Sequence, residues 1–240
     1  MTMKNYNLLP GQKTFEGLLL PFLAPYLIYT LFSTFWPDLL GMESSQVAKL
    51  IGVSLVLTIL WRNYRFPLLN PRHLGIAALT TLPALALWIA PLYLFVETSP
   101  EVGEKTFTDT YFILRIINSV ILVALFEELL MRVYLMEWFF RASTRLRNGT
   151  LIDSVMDTLD EKPSPRESLP LNRFSVVATT LIFTLGHAQV EYLSAILYFA
   201  FTTWIYHLTK SLWVCILIHA LTNLAIAFMV KELGMHFLWW

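Results

Sequence analysis

The chain has 240 residues, of which 56% are hydrophobic and only 14% are charged, and its formal net charge is zero. A soluble domain usually carries about 25% charged residues, whereas stretches of about 20 residues without any charge are typical of membrane-spanning helices. This composition excludes an ordinary soluble domain, and without a basic surplus we expect no nucleic acid among the partners.

Seven apolar segments follow one another along the chain, and each is predicted to be a helix because lipid cannot satisfy free backbone groups. Pro21, Pro25 and Pro37 predict an irregular first helix. Thr108 or Asp109 is expected to cap the fourth. The sequence therefore predicts an all-α membrane protein, a polytopic bundle of about seven to eight transmembrane helices. The seven segments cover residues 17–36, 46–61, 73–96, 110–140, 174–189, 192–208 and 211–230.

Charged residues between these segments are unevenly distributed. Residues 97–109 hold four acidic residues and one lysine, whereas the connections on the other side are basic. The positive-inside rule then predicts a multi-pass protein whose N-terminus and basic loops are cytoplasmic. We expect one transmembrane domain, 1–240, with N-terminal helices (1–109) and a C-terminal half (110–240) that contains a solvated cytoplasmic loop (141–173). The basic residues of the connections are Arg62, Arg65, Arg72, Arg141, Arg145, Arg147 and Lys210.

Few ionisable side chains fall inside the predicted spans. Each costs about 2.5–3.5 kcal/mol on insertion scales and is therefore a functional candidate. Glu128 and Arg132 are four residues apart on one helix face, with the acid first, which is the favourable order for an ion pair. Glu127 is rotated by about 100° and cannot share that arginine as easily. We predict that Glu127 is free to act as a general base and that Glu128 is held by Arg132.

Two later predicted helices carry the other polar candidates. His219 and Asn223 share a face of the seventh helix, and both can donate hydrogen bonds to a developing oxyanion. His187 in the fifth helix can accept and return a proton, and Phe183 one turn earlier is expected to form a wall of the site. Each feature alone also has a structural interpretation, as an ion pair or as polar links between helices. Their joint occurrence on three helices favours a hydrolytic site inside the bilayer.

These residues together resemble the motifs of the CAAX-protease and bacteriocin-processing family, whose eukaryotic relative is the Ras-converting CAAX endopeptidase. The family pattern is EExxxR, then FxxxH, then HxxxN or HxxxD, each on a separate membrane helix. All three motifs stand here in the expected order, at Glu127, Glu128, Arg132, Phe183, His187, His219 and Asn223. The resemblance implies an intramembrane endopeptidase that hydrolyses a peptide bond in a membrane-associated protein or peptide, with residues 110–240 as its catalytic core.

The resemblance also implies a role for each residue. Glu127 and His187 would activate a water molecule, and His219 and Asn223 would bind the oxyanion. Glu128, with its arginine, would support the fourth helix.

Two further expectations follow from the resemblance. The polar loop and residues 208–223 are similar to the branch found beside bacterial exosortase systems, which implies the bacterial cytoplasmic (inner) membrane. The family core has eight helices, so a short additional helix is expected near Pro83 and Pro91 in the third.

The two histidines differ in predicted depth. At 1.5 Å per residue, His219 lies roughly 12 Å from the cytoplasmic end of its helix and His187 roughly 20 Å from that of the fifth helix. We therefore expect the fifth helix either to begin in water, before the bilayer, or to be strongly tilted.

Two alternatives remain open. Two acids and two histidines could also bind zinc, as in a zinc-dependent membrane hydrolase. The HExxH spacing of soluble zinc proteases is absent and Asn223 is a poor zinc ligand, so we expect no cofactor and no metal. The other alternative is a non-catalytic membrane protein, such as a scaffold, an immunity factor or a transporter, in which the buried acids and histidines form a proton relay.

Overall fold

The computed structural model describes residues 19–64, 66, 68–95, 108–146 and 172–239. Within these residues the secondary structure is helical and contains no β-strand. The N-terminal part holds α1 (Leu19–Thr34), α2 (Trp36–Leu40), α3 (Met42–Ile59) and α4 (Pro71–Phe95).

A single long helix follows at residues 109–146. It consists of α5 (Asp109–Ile117), α6 (Ala124–Glu128) and α7 (Met136–Leu146), which are joined by the π-helical segments Asn118–Val123 and Leu129–Leu135. The C-terminal part holds α8 (Arg173–Leu185), α9 (Tyr192–Thr209) and α10 (Leu212–Leu233).

Polar side chains lie inside this bundle, while large apolar side chains face outward. Gln46, Lys49 and Asn118 are buried, whereas Leu79 and Leu94 are 78% and 76% exposed. Apolar surface is costly in water but compatible with lipid, and buried polar groups in a membrane bundle face its interior. The predicted class, an all-α membrane protein, is confirmed.

Three helices of the described part are long and apolar enough to cross a membrane, at Met42–Ile59, Pro71–Leu94 and Leu212–Leu233. Two apolar helices are shorter, at Leu19–Thr34 and Arg173–Leu185. The predicted number of seven to eight spans stays a prediction.

The N-terminal helices differ from the prediction in two places. The first predicted helix ends at Thr34, and α2 begins at Trp36, where Pro37 occupies the first turn and lacks an amide to donate. α2 is a short helix of five residues that the sequence did not predict. The expectation of such a helix near Pro83 and Pro91 is wrong, because α4 continues through both prolines.

The long helix begins as predicted but ends later. The Thr108 side chain accepts a hydrogen bond of 3.1 Å from the Tyr111 amide and caps the helix. The helix continues to Leu146 rather than stopping at residue 140, so residues 141–146 do not belong to the predicted cytoplasmic loop. At the C-terminal end of the predicted loop, Asn172 caps α8. The rest of the predicted loop lies outside the described residues.

Helix packing determines where the polar residues meet. α4 packs on α9 and α10, α1 packs on α3, and α8 packs on α7 and α9. The middle of the long helix contacts both α1 and α10. Its α6 segment is therefore surrounded by helices from both parts of the chain.

Candidate active site

The buried ion pair predicted from spacing is present. Arg132 Nη1 lies 2.5 Å from Glu128 Oε2, and the two side chains are 0% and 2% exposed. Arg132 Nη2 also donates to Thr202 Oγ1 at 2.6 Å, and the guanidinium stacks over Phe199 at 4.6 Å. Three contacts thus fix the arginine, and the arginine fixes Glu128.

Glu128 has a second partner, on α10. Its Oε1 lies 3.2 Å from Nδ1 of His219. Glu128 therefore stands between Arg132 and His219, one carboxylate oxygen facing each. A carboxylate in this position orients the imidazole and stabilises positive charge on the ring. The support that we predicted for the fourth helix is thus accompanied by a direct contact with a candidate catalytic histidine.

Glu127 is in a different situation from its neighbour. Its side chain is 15% exposed, and the distance from its Oε2 to His219 Nε2 is 3.9 Å, too long for a hydrogen bond. Electrostatic interactions link Glu127 to both His187 and His219. Of the two adjacent acids, Glu128 is therefore held by two close partners, whereas Glu127 has no hydrogen bond with His219.

His187 does not lie in the fifth helix, and the predicted end of that helix at residue 189 is wrong. α8 ends at Leu185, Gly186 follows as its C-cap, and His187 lies in the turn after it. In a continued helix the amide of His187 would donate to the carbonyl of Phe183. Instead that amide donates a hydrogen bond to the carbonyl of Thr184 at 3.0 Å, and the histidine's own Nδ1 lies 2.7 Å from the Phe183 carbonyl oxygen.

This contact determines which nitrogen of His187 is basic. A carbonyl oxygen can only accept, so Nδ1 carries the hydrogen, and in the neutral ring Nε2 retains its lone pair. The ring is held by Phe183, at 4.6 Å between centroids, and by Trp88 of α4, edge-on at 5.3 Å. His187 is thus oriented as a proton acceptor, and Phe183 is confirmed beside it.

The depth difference between the histidines is explained by where α8 begins. Phe174 packs on Phe139 at 6.0 Å, twelve residues or about 18 Å past Glu127 on the long helix. From Phe174 the chain runs thirteen residues, or about 20 Å, back to His187. His187 therefore returns to the level of Glu127. The start of α8 beside Phe139 thus brings His187 to this level, while the tilt of α8 relative to a bilayer stays a prediction.

Asn223 is not brought into contact with the acids. Its Nδ2 donates to the backbone carbonyl of Ser119 at 2.8 Å. Ser119 lies in the first π segment, eight residues before Glu127 along the helix. This bond links α10 to the long helix, as in the structural interpretation, and it leaves one hydrogen of the amide for another acceptor.

Several residues that line or support the site were not predicted from the sequence. Tyr198 of α9 is buried, with its ring 6.0 Å from His219 and 5.6 Å from Trp88. Thr202, one turn later, receives the hydrogen bond of Arg132. The four-residue spacing of Tyr198 and Thr202 in an apolar helix was the available signal, because polar groups at that spacing share one face.

The acids and histidines of the site are also possible metal ligands. Among the described residues, no three His, Cys, Asp or Glu side chains lie together as a metal-binding group. Both oxygens of Glu128 face other partners, at Arg132 and His219. A metal at this position would have to displace at least one of these contacts.

Comparison with known proteins gives one informative result. The family model described as Type II CAAX prenyl endopeptidase Rce1-like matches residues 109–225. This range begins with the long helix and ends just past Asn223, so it contains every predicted site residue. No curated protein and no solved structure matches the chain.

Proposed function

The chain belongs to the CAAX-protease family through residues 109–225, and on that premise we propose how its residues hydrolyse a peptide bond. The activity is that of a CAAX-type intramembrane endopeptidase, a hydrolase that acts on a peptide or protein substrate at a membrane. The assignment of individual residues below is our proposal.

The first step is attack by water on the carbonyl carbon of the peptide bond. Glu127 takes a proton from the water while the water oxygen forms a bond to the carbon, and the carbonyl electron pair moves to its oxygen. His187 accepts the water's second hydrogen in a hydrogen bond to Nε2. Two observations support this assignment. The Glu127 carboxylate makes no hydrogen bond with His219, and the contact of His187 Nδ1 with a carbonyl leaves the lone pair on Nε2.

The second step is stabilisation of the oxyanion. His219 is held by Glu128 at Nδ1, so its other nitrogen, when it carries a hydrogen, can donate to the negative oxygen. Asn223 adds a donor through the amide hydrogen that Ser119 does not use. Arg132 holds Glu128 in place, so it acts on His219 through that carboxylate.

The last step is collapse of the tetrahedral intermediate. The carbon–nitrogen bond breaks, and the proton taken up by Glu127 passes to the leaving amine. The products are a carboxylic acid and an amine, so atoms and charges balance with one water consumed. No other reactant is needed.

The observation that carries the proposal is the difference between the adjacent acids. Glu128 is held by Arg132 and His219, whereas Glu127 lies 3.9 Å from His219. The experiment compares membrane peptides from cells that express the wild type or Glu127→Gln. We expect one or more uncut peptides to accumulate in the variant. Glu232→Gln, at the exposed end of α10, is the matched control and should behave as wild type. Identical peptides from wild type and Glu127→Gln cells would refute the proposal.

We propose that this chemistry needs no metal, with a zinc-dependent hydrolase as the alternative. Purified protein should keep its rate of cleavage after dialysis against a zinc chelator. Loss of activity in the chelator, followed by recovery with added zinc, would establish the alternative.

We also propose a location in the bacterial cytoplasmic membrane with the N-terminus on the cytoplasmic side. Ser211 Oγ lies 3.0 Å from His73 Nδ1, so the basic connections near Arg72 and Lys210 meet at one end of the bundle. Basic connections gathered at one end support a common cytoplasmic side. A reporter fusion at the N-terminus should be active only as a cytoplasmic reporter, and activity only as an external reporter would contradict this orientation.

A further inference from the structure

Tyr26 lies on α1, outside the residues that match the family model. It is half-buried, and its ring packs edge-on against Phe126 at 6.2 Å between centroids. Phe126 directly precedes Glu127 on the long helix. The ring contact therefore places Tyr26 beside the segment that carries the proposed base.

The hydroxyl of Tyr26 lies against the residue that precedes the other water-activating residue. A Cβ atom added to Gly186 would stand 3.2 Å from Tyr26 Oη, so the hydroxyl lies against this glycine. Gly186 directly precedes His187. Tyr26 also interacts electrostatically with Glu127. One hydroxyl group from α1 thus lies against the glycine that precedes His187 and interacts electrostatically with Glu127.

We propose that Tyr26 is a further catalytic residue, whose hydroxyl donates a hydrogen bond to the oxygen of the attacking water. In the proposed function the two hydrogens of this water point to Glu127 and to His187 Nε2. Its oxygen then has two lone pairs, one of which attacks the substrate carbon while the other accepts a hydrogen bond. A phenol donates to that lone pair and fixes the direction of attack. No proton is transferred by Tyr26 in this step.

Ring packing alone would not require the hydroxyl, since phenylalanine would make the same ring contact with Phe126. The hydroxyl also has a hydrogen bond with the side chain of Thr30, four residues later on α1. The absence of a side chain at residue 186 also fits the proposal. Any larger residue would press on the hydroxyl, because a carbon 3.2 Å from an oxygen is closer than ordinary contact. The glycine therefore keeps the space in which Tyr26 Oη stands.

The inference rests on the proposed function, and the test uses the membrane peptide that accumulates uncut with Glu127→Gln as the probe. Purified wild type and Tyr26→Phe are compared for kcat and KM on this peptide. We expect kcat to fall roughly tenfold to a hundredfold, because a misdirected water loses the near-attack geometry, with KM unchanged. Tyr64→Phe is the matched control. It removes another buried hydroxyl, which donates to the Pro21 carbonyl at 2.6 Å, and should leave kcat as in wild type.

Gly186→Ala provides a second readout that a structural role would not reproduce. The added methyl group pushes Tyr26 Oη away by a few tenths of an ångström, so kcat should fall in the wild-type background. In the Tyr26→Phe background the hydroxyl is already absent, and Gly186→Ala should have little further effect. Such non-additivity is expected when two positions act on one contact.

The outcomes separate the two proposals. Cleavage that depends on Glu127 but is unchanged in Tyr26→Phe would overturn the role of Tyr26 alone. An equal loss from Gly186→Ala in both backgrounds would also overturn it, since the loss would then come from the Phe183 carbonyl at 3.3 Å from the same added carbon. No Glu127-dependent cleavage at all would overturn both proposals.

Discussion

Arg132→Met removes the positive charge that faces Glu128 while keeping an unbranched side chain in its place. Both charged groups are almost completely buried, and the distance between them is 2.5 Å. Breaking such a pair from one side leaves an uncompensated carboxylate, which costs about 3–5 kcal/mol of folding free energy. The loss includes the hydrogen bond to Thr202 and the contact with Phe199.

The double variant Arg132→Met, Glu128→Met separates the cost of the buried charge from other effects. With both charges gone, much of the lost stability should return, because apolar side chains can replace a buried pair at little cost. The double variant should be inactive, since His219 has lost the carboxylate that holds Nδ1. We thus expect the double variant to be more stable than Arg132→Met but still inactive, which separates the effect on stability from the effect on catalysis.

The measurement is the free energy of unfolding in detergent micelles, from denaturant titration of each variant. Lys231→Met is the control, because Lys231 pairs with Asp109 at 3.3 Å on the surface, where both side chains are substantially exposed. Its removal should cost no more than about 1 kcal/mol. A loss in Arg132→Met no larger than in this control would refute the reasoning. So would a double variant less stable than the single one.

Three further substitutions test individual contacts. Thr202→Val removes the oxygen that accepts from Arg132 and should lower the free energy of unfolding by about 1.5–3 kcal/mol, measured in the same titration. Gly52→Ala would place a carbon 2.6 Å from the ring of Phe32, so we expect about 1–3 kcal/mol of destabilisation and a shifted α1. Asn223→Ala should cost about 1 kcal/mol through the lost interhelical bond and also lower kcat; unchanged kcat would leave Asn223 with a structural role only.

The sequence predicted the parts of the site that depend on local spacing. Glu128 and Arg132 stand one helical turn apart in any helix, so their pairing required no knowledge of the fold. The cap of the long helix was equally local, because Thr108 bonds to an amide three residues later. Both predictions are confirmed for this reason.

Contacts between distant helices could not be read from spacing. The second partner of Glu128 is His219, 91 residues later. Thr202 reaches Arg132 across 70 residues. Which faces of the helices meet depends on packing of the whole bundle, and apolar helices in lipid show no amphipathic stripe that reveals it.

The end of α8 was missed although a signal was present. No acidic or basic residue other than His187 follows Leu185 before Glu191, so charge does not mark the end of the helix. Gly186 marks the end, since glycine is the common residue just past a helix. The His187 side chain bonds to the Phe183 carbonyl where the helix ends, and such a contact cannot be predicted from hydrophobicity.

The central claim is that Glu127, and not its neighbour, supplies the base for peptide hydrolysis. Its most direct test is the turnover of purified Glu127→Gln on the peptide that accumulates in that variant, with the unfolding free energy measured on the same sample. We expect kcat to fall by about 100-fold to 10,000-fold with stability little changed, because the His219 Nε2 atom lies 3.9 Å from Glu127, too far for a hydrogen bond that the substitution could remove. Turnover within a few-fold of wild type, from a protein of normal stability, would contradict the account.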